Sequence, residues 1–562
     1  MDSEVPYCQD QVDGQDQEGK DVSATILEVK QPKQRSSLDS VFSAISSQTT
    51  IFEFELTPAR SNSQLARHSR PTQLPDSDDL PGPALPKSVH YPSPYSWHDS
   101  VSFTTSSSTI MNEKLPSIDQ GALPAKKYDR LTRNLRWTVF SVYRRLNLIV
   151  LIPNVIAMIV LGASGDLLHL TPQATATAVA TNLCAAVLMR QELVINLLFI
   201  IFGKCPQSFP LRIRRLAAKI YHLGGVHSGT AIAATIWFGF YNVSIGNLEE
   251  QQVGREIKIV LLVFTAILDA LLLAICISAY PTLRAKYHDW FECIHRFAGW
   301  TSIVLFWIHV VLLTFAKRKT IHDDPMPPVW QLLAGSPPFW LLVTITVMLT
   351  IPWWRLRKVD VFPERLSDHA IRLHFTYNNT PLCAAPRFSD NPLKEWHAFA
   401  AIPEPGGNGF SVFVSSAGDW TRKIINNPPR RLWTKGILTR GVLNVAPIFK
   451  KQILICTGSG IGPILALTLN SNINCRILWS TPSPEATFGK SIMDSVAGVD
   501  PNAVIINTTV TGRQDLLEPA YRLYKEFEAE AVFIISNQRV TRRLVYGLES
   551  RGVPVFAPVF DS

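Results

Sequence analysis

Four histidines lie in or beside long apolar runs: His222, His227, His295 and His309. Imidazole is the commonest metal-binding side chain. Inside an apolar helix it is costly unless a ligand or a backbone carbonyl satisfies it. In the stretch IHRFAGWTSIVLFWIH, His295 and His309 are 14 residues apart. On a helix that is nearly four turns, so both face one side within about 40° and are separated by about 21 Å. This is the spacing of one helix giving a ligand to each of two stacked haems. Each such haem needs a second helix with a histidine at the same depth. His222 and His227 start the third apolar run, level with His295, and their rise of about 7.5 Å is too short for two haems. At the depth of His309 that run reads ATIWFGFY and offers none. One inner haem is therefore expected, on His295 with His227 or His222, and His309 is left without a histidine partner. Arg190 and Asp269, at similar depths in parallel runs, are expected to form an ion pair, the alternative being that Arg190 neutralises haem propionates or a substrate acid.

A second concentration of chemistry is CTGSGIGP, residues 456–463, between a strand pattern and a helix pattern. Glycines let a backbone approach a pyrophosphate, and a helix N-terminus favours its charge. Thr457, Gly458, Ser459, Gly460, Gly462 and Pro463 are the candidates, although the GxGxxG spacing is not met. The eight cysteines are scattered without a CxxC, which argues against a zinc site or a disulfide framework.

These residues need a scaffold. The chain has 562 residues, 46% hydrophobic and 18% charged. Residues 1–125 are rich in Ser, Pro, Thr, Gln and Asp and read as a disordered cytosolic tail. The N-terminus lacks the pattern of a cleaved signal peptide. Residues 126–358 hold six apolar runs, at about 146–162, 175–202, 220–243, 257–280, 293–315 and 337–354, expected as six membrane spans. Lys and Arg cluster before the first run, between the second and third, between the fourth and fifth, and after the last. That bias puts both termini in the cytosol. The net charge of +9 is thus accounted for by topology, and nucleic acid is not an expected partner. From about 359, short alternating strands suggest an antiparallel barrel. From about 446, strands alternate with helices, as in a parallel α/β sheet.

In this C-terminal half, Glu395-Trp396-His397-Ala398-Phe399 is followed by Gly418-Asp419-Trp420-Thr421 and then by the glycine turn. The three segments, in that order, resemble the ferredoxin–NADP reductase superfamily, in its ferric reductase and NADPH oxidase branch. The HRFAGW start of the fifth run resembles that branch's haem-binding helix. The ending FIISN, TRRLVYGLESRGVP resembles more narrowly the fungal TmpA-type transmembrane flavoproteins, linked to asexual development. The resemblance implies a six-helix transmembrane bundle at 126–358, an FAD-binding barrel-like domain at 359–445 and an NAD(P)-binding α/β domain at 446–562. It implies FAD contacts from Trp396, His397, Phe399, Trp420, Thr421 and Phe560, the last by stacking. It implies nicotinamide-nucleotide contacts from the glycine turn, Ser480, Ser536 and Asn537. Three departures stand out. Ala398 and Ala400 replace the family's Pro and Thr, the Cys-Gly pair beside the nicotinamide is absent, and Pro482 stands where a 2′-phosphate would need a base. NADH and NADPH both stay open.

The function expected from the resemblance is a flavin-dependent oxidoreductase of the plasma membrane. It would carry electrons from NAD(P)H through FAD to the inner haem or to another, unknown acceptor, with a role in fungal development. The alternative is a membrane regulator that keeps the scaffold with little or no turnover.

Overall fold

The computed structural model describes residues 110–111, 123–319, 321, 326–404, 409–469 and 471–558. The apolar runs form seven long helices. They are α1 (Val142–Ala163), α2 (Pro172–Leu188), α3 (Glu192–Gly203), α4 (Gly224–Gly246), α5 (Arg255–Ser278), α6 (His288–Lys319) and α7 (Pro337–Trp354). Among the described residues α1, α5, α6 and α7 are long and apolar enough to cross a membrane. The bent pair α2 and α3 would make a fifth span if the two are one. Among the described residues up to five spans pass that test of length and composition, against the six expected.

Two differences have physical causes. The run 175–202 breaks at Arg190-Gln191-Glu192, and its halves meet at 67°. Gln191 caps α3 through the Leu193 N–H and donates to the Met348 carbonyl of α7 at 2.9 Å. Glu192 turns away to meet Arg387 in the C-terminal half at 2.6 Å. The run 220–243 becomes the central helix α4, packed against α1, α2 and α5 and rich in small and polar residues. At Gly225 an added Cβ would collide with the Tyr143 carbonyl of α1, and at Gly229 it would lie 2.8 Å from the Asn147 carbonyl. This is close packing through small residues four apart. Asn154 of α1 joins the helices: its Oδ1 accepts from Asn182 Nδ2 of α2 and from Trp237 Nε1 of α4. The outer faces stay apolar, with Ile149, Ile152, Ile156 and Ile159 of α1 exposed. Asp269 accepts from Asn242, so the partner that holds it is an amide on α4 rather than the expected arginine.

Beyond α7 the chain is β-rich. One antiparallel sheet joins β2 (Arg357–Asp360), β10 (Arg431–Thr434), β6 (Arg387–Ser389) and β7 (His397–Ala398), in that order. A second joins β3 (Phe362–Arg365), β4 (Ala370–Phe375), β9 (Phe410–Ser415) and β8 (Ile402–Pro403). A two-stranded pair joins β5 (Ala384–Ala385) and β11 (Thr439–Arg440). The strands pair as separate sheets, where one barrel ladder was expected. Phe375, Phe388 and Phe410 stack between them with ring centroids 4.3 and 5.2 Å apart. The short helix α8 (Asp419–Asn426) closes one end against β9.

The final segment is a parallel sheet with β12 (Gln452–Thr457) at its centre. On one side lie β13 (Cys475–Thr481), β14 (Val504–Asn507) and β1 (Ile110–Met111), and on the other β15 (Ala531–Ile535) and β16 (Val555–Phe556). The linking helices include α9 (Ile461–Thr468), α10 (Lys490–Val499), α11 (Leu517–Glu526) and α12 (Gln538–Glu549). The strands are buried on both faces, as parallel sheets require. Ile110–Met111 pairs with Ile505 and Ile506, so part of the expected disordered tail is an edge strand. Lys127 N–H also donates to the Ser550 carbonyl at 2.7 Å. The tail up to 109, and residues 112–122, lie outside the described residues.

Candidate functional site

The strand order fixes where a ligand can enter the parallel sheet. From β12 the chain moves outward through β13 and β14, then returns to the other side of β12 as β15 and β16. The carboxyl ends of β12 and β15 therefore flank the topological switch point, the usual binding crevice of such sheets. Thr457 ends β12 and Ser536 follows β15, and their hydroxyls meet at 2.6 Å. The two glycine-turn positions that matter have different reasons. Gly458 has φ +51, in the left-handed region. At Gly460 an added Cβ would lie 2.5 Å from the Ile535 carbonyl, so only glycine lets the turn pass β15. Trp479 Nε1 holds the turn by donating to the Gly458 carbonyl at 2.9 Å. Ser459, Gly460, Gly462 and Pro463 are buried, while Thr457 and Gly458 are half-exposed at the crevice. Ser480 pairs with Thr457 across the ladder. Asn537 spends its Oδ1 on the Val540 N–H, capping α12.

The second cluster lies on the antiparallel sheets. His397 stacks on Trp420 with centroids 4.2 Å apart, and Phe399 lies 5.9 Å from the same indole. His397 Nε2 and Trp420 Nε1 are buried with no hydrogen-bond partner. Two orphaned polar atoms on stacked rings fit a planar heteroaromatic ligand with hydrogen-bonding edges, as a flavin is. Burial disfavours the charged imidazole and lowers His397 below its usual value. Thr421, expected to touch flavin, instead accepts from the Ala417 and Gly418 N–H groups at 2.9 Å and so caps α8. Trp396 donates to the Pro392 carbonyl, and Lys435 lies over its ring at 4.4 Å. The segment reaches the nucleotide turn at its far end: Ala400 shares a core with Phe413 and Ile461, and Gly462 faces Phe413. Phe560 lies outside the described residues.

Two residues that positional reasoning passed over tie this site to the helices. Arg296 donates to the Leu393 and Lys394 carbonyls, both at 2.9 Å, just ahead of Trp396. The His-Arg dipeptide was its signal. Arg387, which ends on Glu192, had none, because its partner is 195 residues away.

Among the helices, His227 and His295 come together, with ring centroids 6.2 Å apart. His227 Nδ1 lies 2.9 Å from the Ala186 carbonyl. His222 stacks on Tyr221 instead. His309 neighbours Tyr241 and Phe264, and its Nε2 is buried without a partner. Among the described residues no group of three or more His, Cys, Asp or Glu is placed to hold a metal ion. The described cysteines are all free.

Residues 442–562 match a family described as the C-terminal domain of adenylate-forming reductase 03009. Two curated relatives from Coprinopsis cinerea, adenylate-forming reductases 03009 and 06235, are each 44% identical, over 439 and 444 residues. Each match covers 78% of this chain and 42% of the relative. The chain thus spans under half the length of the curated relatives it matches. Among solved structures, a ferredoxin–NADP reductase from Neisseria gonorrhoeae with bound FAD and NADP is 14% identical, with a TM-score of 0.31, covering 36% of this chain and 99% of its own. A flavohemoglobin from Malassezia yamatoensis with bound FAD and heme is 13% identical, with a TM-score of 0.31, covering 69% and 98%.

The curated relatives are reductases, but they are named for adenylate formation. That finding overturns the expected function, a ferric reductase-like membrane protein passing electrons to an inner haem or another acceptor in fungal development. The same names speak against the alternative of a membrane regulator with little or no turnover.

Proposed function

We propose that this chain is the reducing part of an enzyme of the adenylate-forming reductase kind, working with NAD(P)H and a flavin. The observation that carries the proposal is the 44% identity to two such reductases, which runs over 78% of the chain. The crevice chemistry supports the cofactors. The turn around Gly458 and Gly460 would hold the pyrophosphate of the nucleotide, with the Thr457 and Ser536 hydroxyls at the crevice mouth. His397, Phe399 and Trp420 would hold the flavin, with Trp396 braced beside them. When bound, the two cofactors supply hydride transfer and its onward passage. The protein's residues bind and orient. Ala400, Phe413 and Ile461 of the glycine turn share one buried core, which would join the two clusters.

The test is an absorbance spectrum of the purified chain before and after NADPH or NADH. A flavin band bleached by either nucleotide is expected. Gly460→Ala should abolish that bleaching while chemical reduction by dithionite still bleaches the flavin. A colourless protein, or a flavin that neither nucleotide reduces, sinks the proposal.

The apolar outer faces of α1, α5, α6 and α7 support seating in a bilayer. His227 and His295, whose ring centroids lie 6.2 Å apart, would hold a single haem, which would supply one-electron transfer when bound. A Soret band lost in His295→Ala and kept in His309→Ala is the expected outcome. A haem-free protein would dismiss the haem and leave the reductase reading untouched.

A further inference from the structure

Where α7 ends, Trp354, Arg355, Leu356 and Arg357 face the turn Lys435–Leu438 across a cavity of about 590 Å³. That volume lies within the range of small-molecule sites, about 300–1,000 Å³. Among the described residues, none of those that would hold nucleotide, flavin or haem lines it. Among the described residues three cations stand on its wall, Arg355, Arg357 and Lys435, and no acidic residue does. Glu192, which lies behind the turn, is engaged by Arg387 at 2.6 Å and by the Ile437 N–H at 2.7 Å.

Two of the cations, Lys435 and Arg357, lie over aromatic rings. Lys435 Nζ lies between the Trp353 and Trp396 rings, at 4.2 and 4.4 Å from their centroids. Burial, and then the neighbouring Arg387 and Arg296, lower its ammonium to about 7 against the opposing pull of Glu192 and Glu292. The Arg357 guanidinium lies over Tyr377 at 4.9 Å. Asn378 and Asn379 add amides to the wall, and Trp354 and Ile437 add apolar surface.

We propose that this cavity binds a phosphate-bearing amphiphile. Arg355, Arg357 and Lys435 would take the phosphate, for which guanidinium groups are the strongest partners. Trp354 and Ile437 would take the apolar part. Two sources share this chemistry, an anionic phospholipid headgroup and a soluble phosphorylated compound. An exposed Trp354 closing an apolar helix, with arginines straight after it, is the pattern of a membrane interface and favours the lipid.

The full chain in an uncharged detergent can be titrated calorimetrically with dihexanoyl phosphatidic acid, dihexanoylglycerol and inorganic phosphate. Saturable binding of the phosphatidic acid is expected, at least about tenfold weaker in R355Q/R357Q, with none for the glyceride. Inorganic phosphate binding as tightly as the lipid would support the site and identify a soluble phosphate as its ligand. Asn379→Asp leaves both arginines and puts a carboxylate on the wall. It should weaken binding in the same way, and it serves if the arginine variant does not fold. No saturable binding of either phosphate probe, or binding unchanged in the folded variants, overturns the proposal.

Discussion

At the residue scale, the buried charges of the antiparallel sheets make the chain pH-sensitive away from the crevice. Arg372 is buried on β4, with its Nε donating to Ser411 at 2.9 Å and Glu404 3.5 Å away. His374 bridges Glu404 at 2.8 Å and Glu364 at 2.9 Å. Burial opposes the charge on His374, but the two carboxylates outweigh it and raise it above its usual 6.5. The unfolded chain loses this proton near 6.5, so its contribution to stability is complete below that and is lost as pH rises through the folded value. Glu364, through its bond from His374, lies below the usual 4.5. For Glu404, burial is overcome by His374 and Arg372, with the same result. Their contribution is present above 4.5 and lost as pH falls through the lowered values. The unfolding midpoint should therefore decline as pH rises above 6.5, and His374→Gln should flatten that decline. A wild-type midpoint constant over that rise would contradict the assignment.

At the element scale, α4 is placed by what it lacks. Gly225 and Gly229 let α1 cross it in backbone contact, and no larger residue fits without moving a helix. Gly229→Val should destabilise the helical region by about 1–3 kcal/mol, the usual cost of overpacking. Gly239→Ala is the control, since nothing lies within 4 Å of its added Cβ. Thermal unfolding followed by helical circular dichroism compares the two, and equal midpoints would contradict the crossing.

At the scale of the whole molecule, a few buried charge pairs join helices to sheets. Arg214 forks onto Glu530 at 2.6 and 2.9 Å and also reaches the Ile448 carbonyl. Glu192 does the same for the antiparallel sheets through Arg387 and Ile437. Glu192→Gln should cost about 3 kcal/mol, the low end for breaking a buried pair, because Arg387 keeps 23% of its side chain exposed. Adding Arg387→Met should cost less than the sum of the two single changes. Additive costs would show that the pair does not couple the two parts.

The sequence by itself determined the local features. Apolar runs long enough for helices, alternating strands and a glycine turn between strand and helix are dictated by spacing within a few residues, and each formed. It also placed a histidine at the depth of His295, because helical rise follows from residue count, and His227 lies there. The tertiary structure alone decided the rest. It bent the run 175–202, since Glu192 is drawn to Arg387, 195 residues away. It chose His227 over His222, because His222 lies against Tyr221. It turned Thr421 into a cap, and it split the expected barrel into separate sheets. It also set the arginines after α7 around a cavity. In each case the deciding partner lies in another element or in the local turn geometry, and spacing along one run carries no information about it.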